Sequence, residues 1–185
     1  MILVDIGVWL AAVWGRHAHH RVTAEWFGAQ ADDLAFCRVT QMGLLRLLSN
    51  PAIMGDDAVD RSQAWRAFDQ LWADERVLMA DEPDGLDAVW RAISARDDKS
   101  HKLWADDYLA AFAQASDATL ATLDRKLHSR YPSVRIETLL PLPAPRRQSL
   151  QQGRPLQTGC TVDITARIER KQVLGGLINE YRRTA

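Results

Sequence analysis

The chain has 185 residues, 47% apolar and 25% charged, which suits one packed domain with an appendage and excludes a wholly disordered chain. Its 23 Lys and Arg against 24 Asp and Glu leave a formal charge of −1, which excludes a globally basic nucleic-acid binder while permitting a local basic face. Two cysteines, Cys37 and Cys160, make neither a disulfide framework nor a zinc set, and fit a reducing, cytoplasmic setting.

The opening segment through Trp14 is apolar but carries Asp5 and no basic stretch before it, so a secretory signal is not expected. No run approaches the roughly 20 uninterrupted apolar residues of a membrane span, so no membrane association is expected and the protein should be soluble. Ile2-Leu3-Val4 predicts a short buried strand. His17, His19 and His20 stand at a loop-to-helix junction, without the further ligands a zinc site requires. Ala35-Phe36-Cys37-Arg38-Val39 predicts a second strand, with Gln41 opening a Leu-rich helix that runs to Ser49 and stops at Asn50-Pro51. Trp65, Phe68, Leu71 and Trp72 recur at helical spacing, as do Leu86, Val89, Trp90 and Ile93, with a third strand at Arg76-Val77-Leu78-Met79 between them. Trp26, Trp65, Trp72 and Trp90 are expected in the core. Trp104 to Ala115 predicts an Ala-rich helix, and Ala118 to Leu123 and Val134 to Ile136 complete five strands. The alternation predicts an α/β fold: a mostly parallel central sheet of about five strands, flanked by helices in three layers.

The Pro141-Leu142-Pro143-Ala144-Pro145 run and the polar stretch after it divide a domain at 1–140 from an extension at 141–185. Residues 146–185 carry eight bases against three acids, a charge of +5, which leaves −6 for residues 1–145. Within this basic extension, Ile164, Ile168, Leu174, Leu177, Ile178 and Tyr181 fit an amphipathic helix interrupted by Gly175-Gly176, so it is expected to be partly helical or disordered.

In such sheets the loops after the strands converge on one rim, where ligands bind. Asp5 follows the first strand and Asp124 the fourth. Asp106 and Asp107 fall in the first turn of the helix feeding that fourth strand, and Gln41 follows the second. Each aspartate alone has an ordinary explanation as a turn or cap residue. Together they are costly, because two carboxylates ~5 Å apart repel by about 3 kcal/mol at an effective dielectric near 20. A hard divalent cation, Mg²⁺ or Mn²⁺, removes that cost and leaves room for a substrate phosphate.

Four blocks now resemble the acidic blocks of the PIN-domain ribonucleases, with the closest likeness to the VapC-type toxins of bacterial toxin–antitoxin pairs. They are Met1 to Ala11 around Asp5, Arg38 to Pro51 around Gln41, Leu103 to Ala111 around Asp106 and Asp107, and Ala121 to Arg125 around Asp124. The resemblance covers about residues 1–140. It implies a Mg²⁺- or Mn²⁺-dependent endoribonuclease that hydrolyses RNA phosphodiester bonds, is restrained by a cognate antitoxin and pairs as a homodimer. Carried over, Asp5, Asp106 and Asp124 hold the metal and are catalytic together with Gln41, while Asp107 is an accessory candidate. Arg38, Arg46, Arg125 and Lys126 are candidates for contacts to RNA phosphates. Two positions depart from the family pattern: Gly7 stands where Asn, Ser or Thr is usual, and Gln41 where a glutamate is usual, which costs the cluster one negative charge. The alternative reading is accordingly a catalytically impaired PIN-like module that binds RNA or an antitoxin without cleaving. A receiver domain would need an acidic pair after its first strand, and a dehalogenase-type phosphatase a second Asp where Gly7 stands.

Overall fold

The computed structural model describes residues 1–139 and the strands at residues 168–173 and 178–183. Five strands, β1 (Ile2–Val4), β2 (Leu34–Phe36), β3 (Val77–Met79), β4 (Thr119–Thr122) and β5 (Ile136–Thr138), form one sheet in the order β3-β2-β1-β4-β5. Every pairing in it is parallel, with β1 at the centre. The strands are short and almost wholly apolar because both faces are covered. Ile2, Val4, Leu34, Phe36 and Ala121 point into one cluster, with α1 (Ile6–Val13), α2 (His20–Ala29), α3 (Arg38–Leu48) and α5 (Arg61–Trp72) packed on it. Leu3, Ala35 and Leu120 point into the other, under α6 (Leu86–Ser94) and α7 (Trp104–Ala115). Two short helices, α4 (Pro51–Met54) and α8 (Leu127–Arg130), complete the layers. This is the predicted three-layer parallel α/β fold.

Trp9 is the largest side chain of the first cluster and is stacked on Phe36, with ring centroids 3.9 Å apart and planes 7° apart. Gly43 lets α3 approach α1 closely: a Cβ there would lie 2.5 Å from Cδ1 and 2.9 Å from Cγ1 of Ile6. That approach braces the residue directly after Asp5.

Several local expectations are corrected. The second strand ends at Phe36, and Cys37-Arg38-Val39 opens α3 instead, because Thr40 accepts a hydrogen bond from the Cys37 amide at 3.0 Å and so caps the helix start. Gln41 therefore lies in the second turn of α3 and does not open it. The fifth strand is shifted to Ile136–Thr138, where it pairs with Leu120–Thr122. Trp65 and Trp72 are 47% and 44% exposed. The buried face of α5 is Ala64, Phe68 and Leu71, and the two tryptophans flank Phe68 with centroids 5.7 Å from its ring. Trp26 and Trp90 are half-buried. The histidines do lie at the junction before α2.

In the extension, the expected helix gives way to two antiparallel strands, β6 (Ile168–Val173) and β7 (Ile178–Arg183), in register Ile168↔Arg183 through Val173↔Ile178. Gly175-Gly176, expected to interrupt that helix, lies outside the described residues. Residues 140–167 lie outside the described residues, including the expected linker and Cys160. No described helix is long and apolar enough to cross a membrane.

Candidate active site

The sheet topology brings the first and last acidic blocks together. β1 and β4 are neighbours, with Val4 opposite Ala121, so Asp5 and Asp124 leave the sheet at the same rim. Thr122 joins them: its buried hydroxyl donates to Asp5 Oδ2 at 2.8 Å and accepts from the Asp124 amide at 3.1 Å. Asp5 occupies the N-cap position of α1, where the Ile6 and Gly7 amides face its carboxylate without closing a full cap bond. One oxygen of Asp124 is used locally, Oδ1 accepting from the Lys126 amide at 2.8 Å.

Asp106 comes from the first turn of α7, and the charges of Asp5 and Asp124 act on it. Its carboxyl is pushed up to about 6, mainly by desolvation and then by the charge of Asp5; Arg130 opposes this, and Asp124 and Asp107 add to it. Asp5 is likewise raised by burial, with the Thr122 hydrogen bond and the Ile6 and Gly7 amides opposing and Asp124 adding to the rise. Mutual repulsion of this kind requires proximity. The three aspartates, 119 residues apart from first to last in sequence, share one rim.

The remaining predicted residues fall in different surroundings. Asp107 is 6% exposed, and its Oδ1 accepts from the Tyr131 hydroxyl at 2.6 Å. Gln41 is equally buried, and its Oε1 accepts from Arg38 Nη1 at 2.5 Å. Among the described residues it makes no hydrogen bond with the three aspartates. Gly7 leaves open space: a Cβ there would meet Asp5 Oδ2 at 3.9 Å and Leu123 Cδ1 at 4.0 Å, ordinary contact distances. Arg38, Arg46, Arg125 and Lys126 are all exposed, and none is ion-paired within the described residues. Beside the acids lies an open depression of about 400 Å³ lined by Ile6, Val39, Met42, Gly43, Arg46 and Ala105.

Two contributors escaped the sequence reading. Thr122 lies inside the Thr-Leu-Asp block, where a hydroxyl two residues before the aspartate was the available signal. Arg130, whose Nη1 lies 3.2 Å from Asp106 Oδ2, is 24 residues from its partner and carried no local signal.

Among the described residues no three His, Cys, Asp or Glu side chains already close on one point as a finished ion cage. The chemistry of the donor set nevertheless fits a hard cation. Asp5, Asp106 and Asp124 offer carboxylate oxygens, and two of them are held above the usual carboxylate range in its absence.

Comparison with known proteins gives the family. The PIN domain family model matches residues 2–132. Ribonuclease VapC41 of Mycobacterium tuberculosis is 39% identical over 130 residues, covering 67% of this chain and 89% of the relative. Ribonuclease VapC29 of the same species is 30% identical over 129 residues, covering 68% and 87%. The structure of VapBC-1 from nontypeable Haemophilus influenzae shares the fold with a TM-score of 0.55 at 17% identity, over 75% of this chain and 98% of that one. The chain belongs to the PIN-domain family, and its likeness is to the VapC-type members.

Proposed function

We propose that the protein is a divalent-metal-dependent endoribonuclease, the toxin of a toxin–antitoxin pair, with Asp5, Asp106 and Asp124 as metal-binding catalytic residues. The observation that supports this most is that Asp5 and Asp124 leave neighbouring strands at one rim, joined through Thr122, and act on Asp106 from the third block, with Arg130 the only base ion-paired with any of the three among the described residues. Mg²⁺ or Mn²⁺, when bound, supplies an activated water and a counter-charge for the phosphate. The chain's own residues do the rest. Thr122 fixes the orientation of Asp5, and the Lys126 amide fixes that of Asp124. Arg38, Arg46, Arg125 and Lys126 are proposed to contact flanking phosphates, which position a strand without reading its sequence. Gln41 is proposed to act by steadying Arg38, to which it is bonded.

The proposed partners are an RNA substrate, a cognate antitoxin and a second copy of the chain, in a cytoplasmic setting. The first two are supported by the names of the relatives, ribonucleases in two cases and a VapBC pair in the third. Domain boundaries are proposed at 1–140 and 141–185. The test is RNA cleavage by the chelated protein before and after Mn²⁺ is restored, beside Asp124→Asn. Cleavage that returns with Mn²⁺ and is absent from the variant is expected. Binding of RNA without cleavage at saturating Mn²⁺ would instead favour the impaired module, for which the engagement of Gln41 by Arg38 and the bare Gly7 speak.

A further inference from the structure

Arg130 is the only base ion-paired with an aspartate of the rim among the described residues. It sits at the last position of α8, and its side chain is 23% exposed against 31% for Asp106. The two neighbours in sequence are held very differently. Tyr131 is locked, 2% exposed, with its hydroxyl on Asp107 and the Arg96 guanidinium 5.6 Å from its ring centre. Among the described residues the Arg130 guanidinium has one hydrogen bond, the 3.2 Å contact with Asp106, and otherwise lies 6.0 Å from the centre of the Tyr131 ring. A fixed backbone thus carries a loosely held cation into a cluster of three acids.

We propose that Arg130 is a resident counter-ion: it occupies Asp106 while the site is empty of metal, and an incoming divalent cation must displace it to gain that carboxylate. The inference rests on the metal-dependent reading above and adds to it a positioning residue that sets the ion concentration at which the site loads. Charge accounts for the exchange. Three carboxylates with one guanidinium carry −2, so the rim still attracts a cation. Once a divalent ion has entered, the aspartates no longer need the guanidinium, whose exposed side gives it somewhere to go. Geometry favours the same order, since a single 3.2 Å contact is a weaker grip than the two-pronged one an arginine can make with a carboxylate.

The experiment is a Mn²⁺ titration of the melting temperature, read without RNA or turnover, on the full chain and two variants. In Arg130→Gln the melting temperature without added ion should be lower at pH 8, because the acids have lost their counter-ion. Its Mn²⁺ midpoint should be tighter than that of the wild type by on the order of tenfold, because the ion no longer has to break a charge-assisted hydrogen bond to gain Asp106. Arg130→Lys keeps the charge without the planar fork and should fall between the two. A midpoint for Arg130→Gln equal to or weaker than the wild-type value overturns the proposal, because Arg130 is then a structural partner of Asp106. If Arg130→Gln does not fold, the lysine variant decides: a tighter midpoint supports the proposal and an equal or weaker one overturns it. A wild-type protein with no Mn²⁺ response overturns the metal-dependent reading and this inference together. A wild-type response that neither variant sharpens overturns this inference alone.

Discussion

Asp74 precedes β3 at the amino rim of the sheet, while Asp5, Asp106 and Asp124 gather at the carboxyl rim of the same strands. At the amino rim Arg76 grips Asp74 with both prongs, Nε to Oδ1 at 2.9 Å and Nη2 to Oδ2 at 2.7 Å, and its Nη1 also donates to the carbonyls of Phe27 and Gln30 at the end of α2. The Arg76 hydrogen bond holds the Asp74 carboxyl below the usual range. At the carboxyl rim burial and neighbouring acids push Asp5 and Asp106 above it. Asp74 has an arginine to itself, and that arginine ties a helix to the sheet; the three others share a single ion-paired arginine among the described residues. Uncompensated charge, rather than acidity itself, separates the functional rim from the structural one.

Substitutions at the two rims should then have opposite consequences. Asp5→Asn or Asp124→Asn is expected to lower RNA cleavage about a hundredfold or more, since a bound cation contributes several kcal/mol to the transition state. The melting temperature without metal should hold or rise, because a like charge has been removed. Arg76→Ala should do the reverse. Leaving two backbone carbonyls and a carboxylate without their donor should cost about 2 kcal/mol in a denaturant midpoint while leaving cleavage by the folded fraction unchanged. If Asp5→Asn unfolds the protein, or Arg76→Ala abolishes cleavage without loss of stability, the division between the rims fails.

The brace behind the carboxyl rim should be nearly as sensitive. Gly43→Ala places a methyl group 2.5 Å from Ile6 Cδ1, and the flexible end of Ile6 can yield only in part because Cγ1 also lies within 2.9 Å. Overpacking of this kind should destabilise by about 1–2 kcal/mol. Because Ile6 follows Asp5, it should also lower cleavage, which a substitution at the amino rim should not.

The same contrast explains what could be read from the sequence. The parallel sheet, its two covered faces and the aspartates after β1 and β4 were legible because strand-sized apolar runs and helical spacing are local signals, and topology carries them to one rim. Asp107 was expected as an accessory to Asp106, yet a helix turns adjacent residues by about 100°, and its carboxylate meets Tyr131 instead. The exposure of Trp65 and Trp72 was hidden by the same rotation: their spacing fits the core stripe, but Ala64, Phe68 and Leu71 define it. Cys37 to Val39 has strand-like composition, and the cap that overrides it is made by one hydroxyl, that of Thr40, three residues on from Cys37. In the extension the apolar positions were read at helical spacing, but β6 and β7 pair as antiparallel strands, a partnership between segments that helical spacing alone does not register.

A pH series without metal should superimpose the two rims. Asp106 has a folded value of about 6 against an ordinary 3.8, so between those values the folded protein holds a proton the unfolded chain has lost. Stability should therefore rise as the pH falls from about 6 towards 4, with Asp5 adding in the same direction. Asp74 has the opposite sign: its contribution is complete above its ordinary value and is lost as the pH falls through its lowered one. The melting temperature should be higher near pH 5 than near pH 8, then drop in stronger acid, and Asp106→Asn should flatten the first change without altering the second. A melting temperature that falls steadily from about pH 8 to 5 would mean that the carboxyl rim is not uncompensated.

The smallest effect is expected where the carboxyl rim has spare room. A Cβ at Gly7 meets Asp5 Oδ2 and Leu123 at ordinary contact distances, and its backbone needs no glycine, lying in the first turn of α1. Gly7→Ser should change stability by no more than about 0.5 kcal/mol. It also puts a hydroxyl within reach of the Asp5 carboxylate, so the Mn²⁺ midpoint should tighten by a few-fold if that carboxylate is free to hold an ion. An unchanged midpoint with an intact fold would show that the space beside Gly7 does not open onto the ion, and the shared position of Asp5 with Asp106 and Asp124 would then be a matter of charge without coordination.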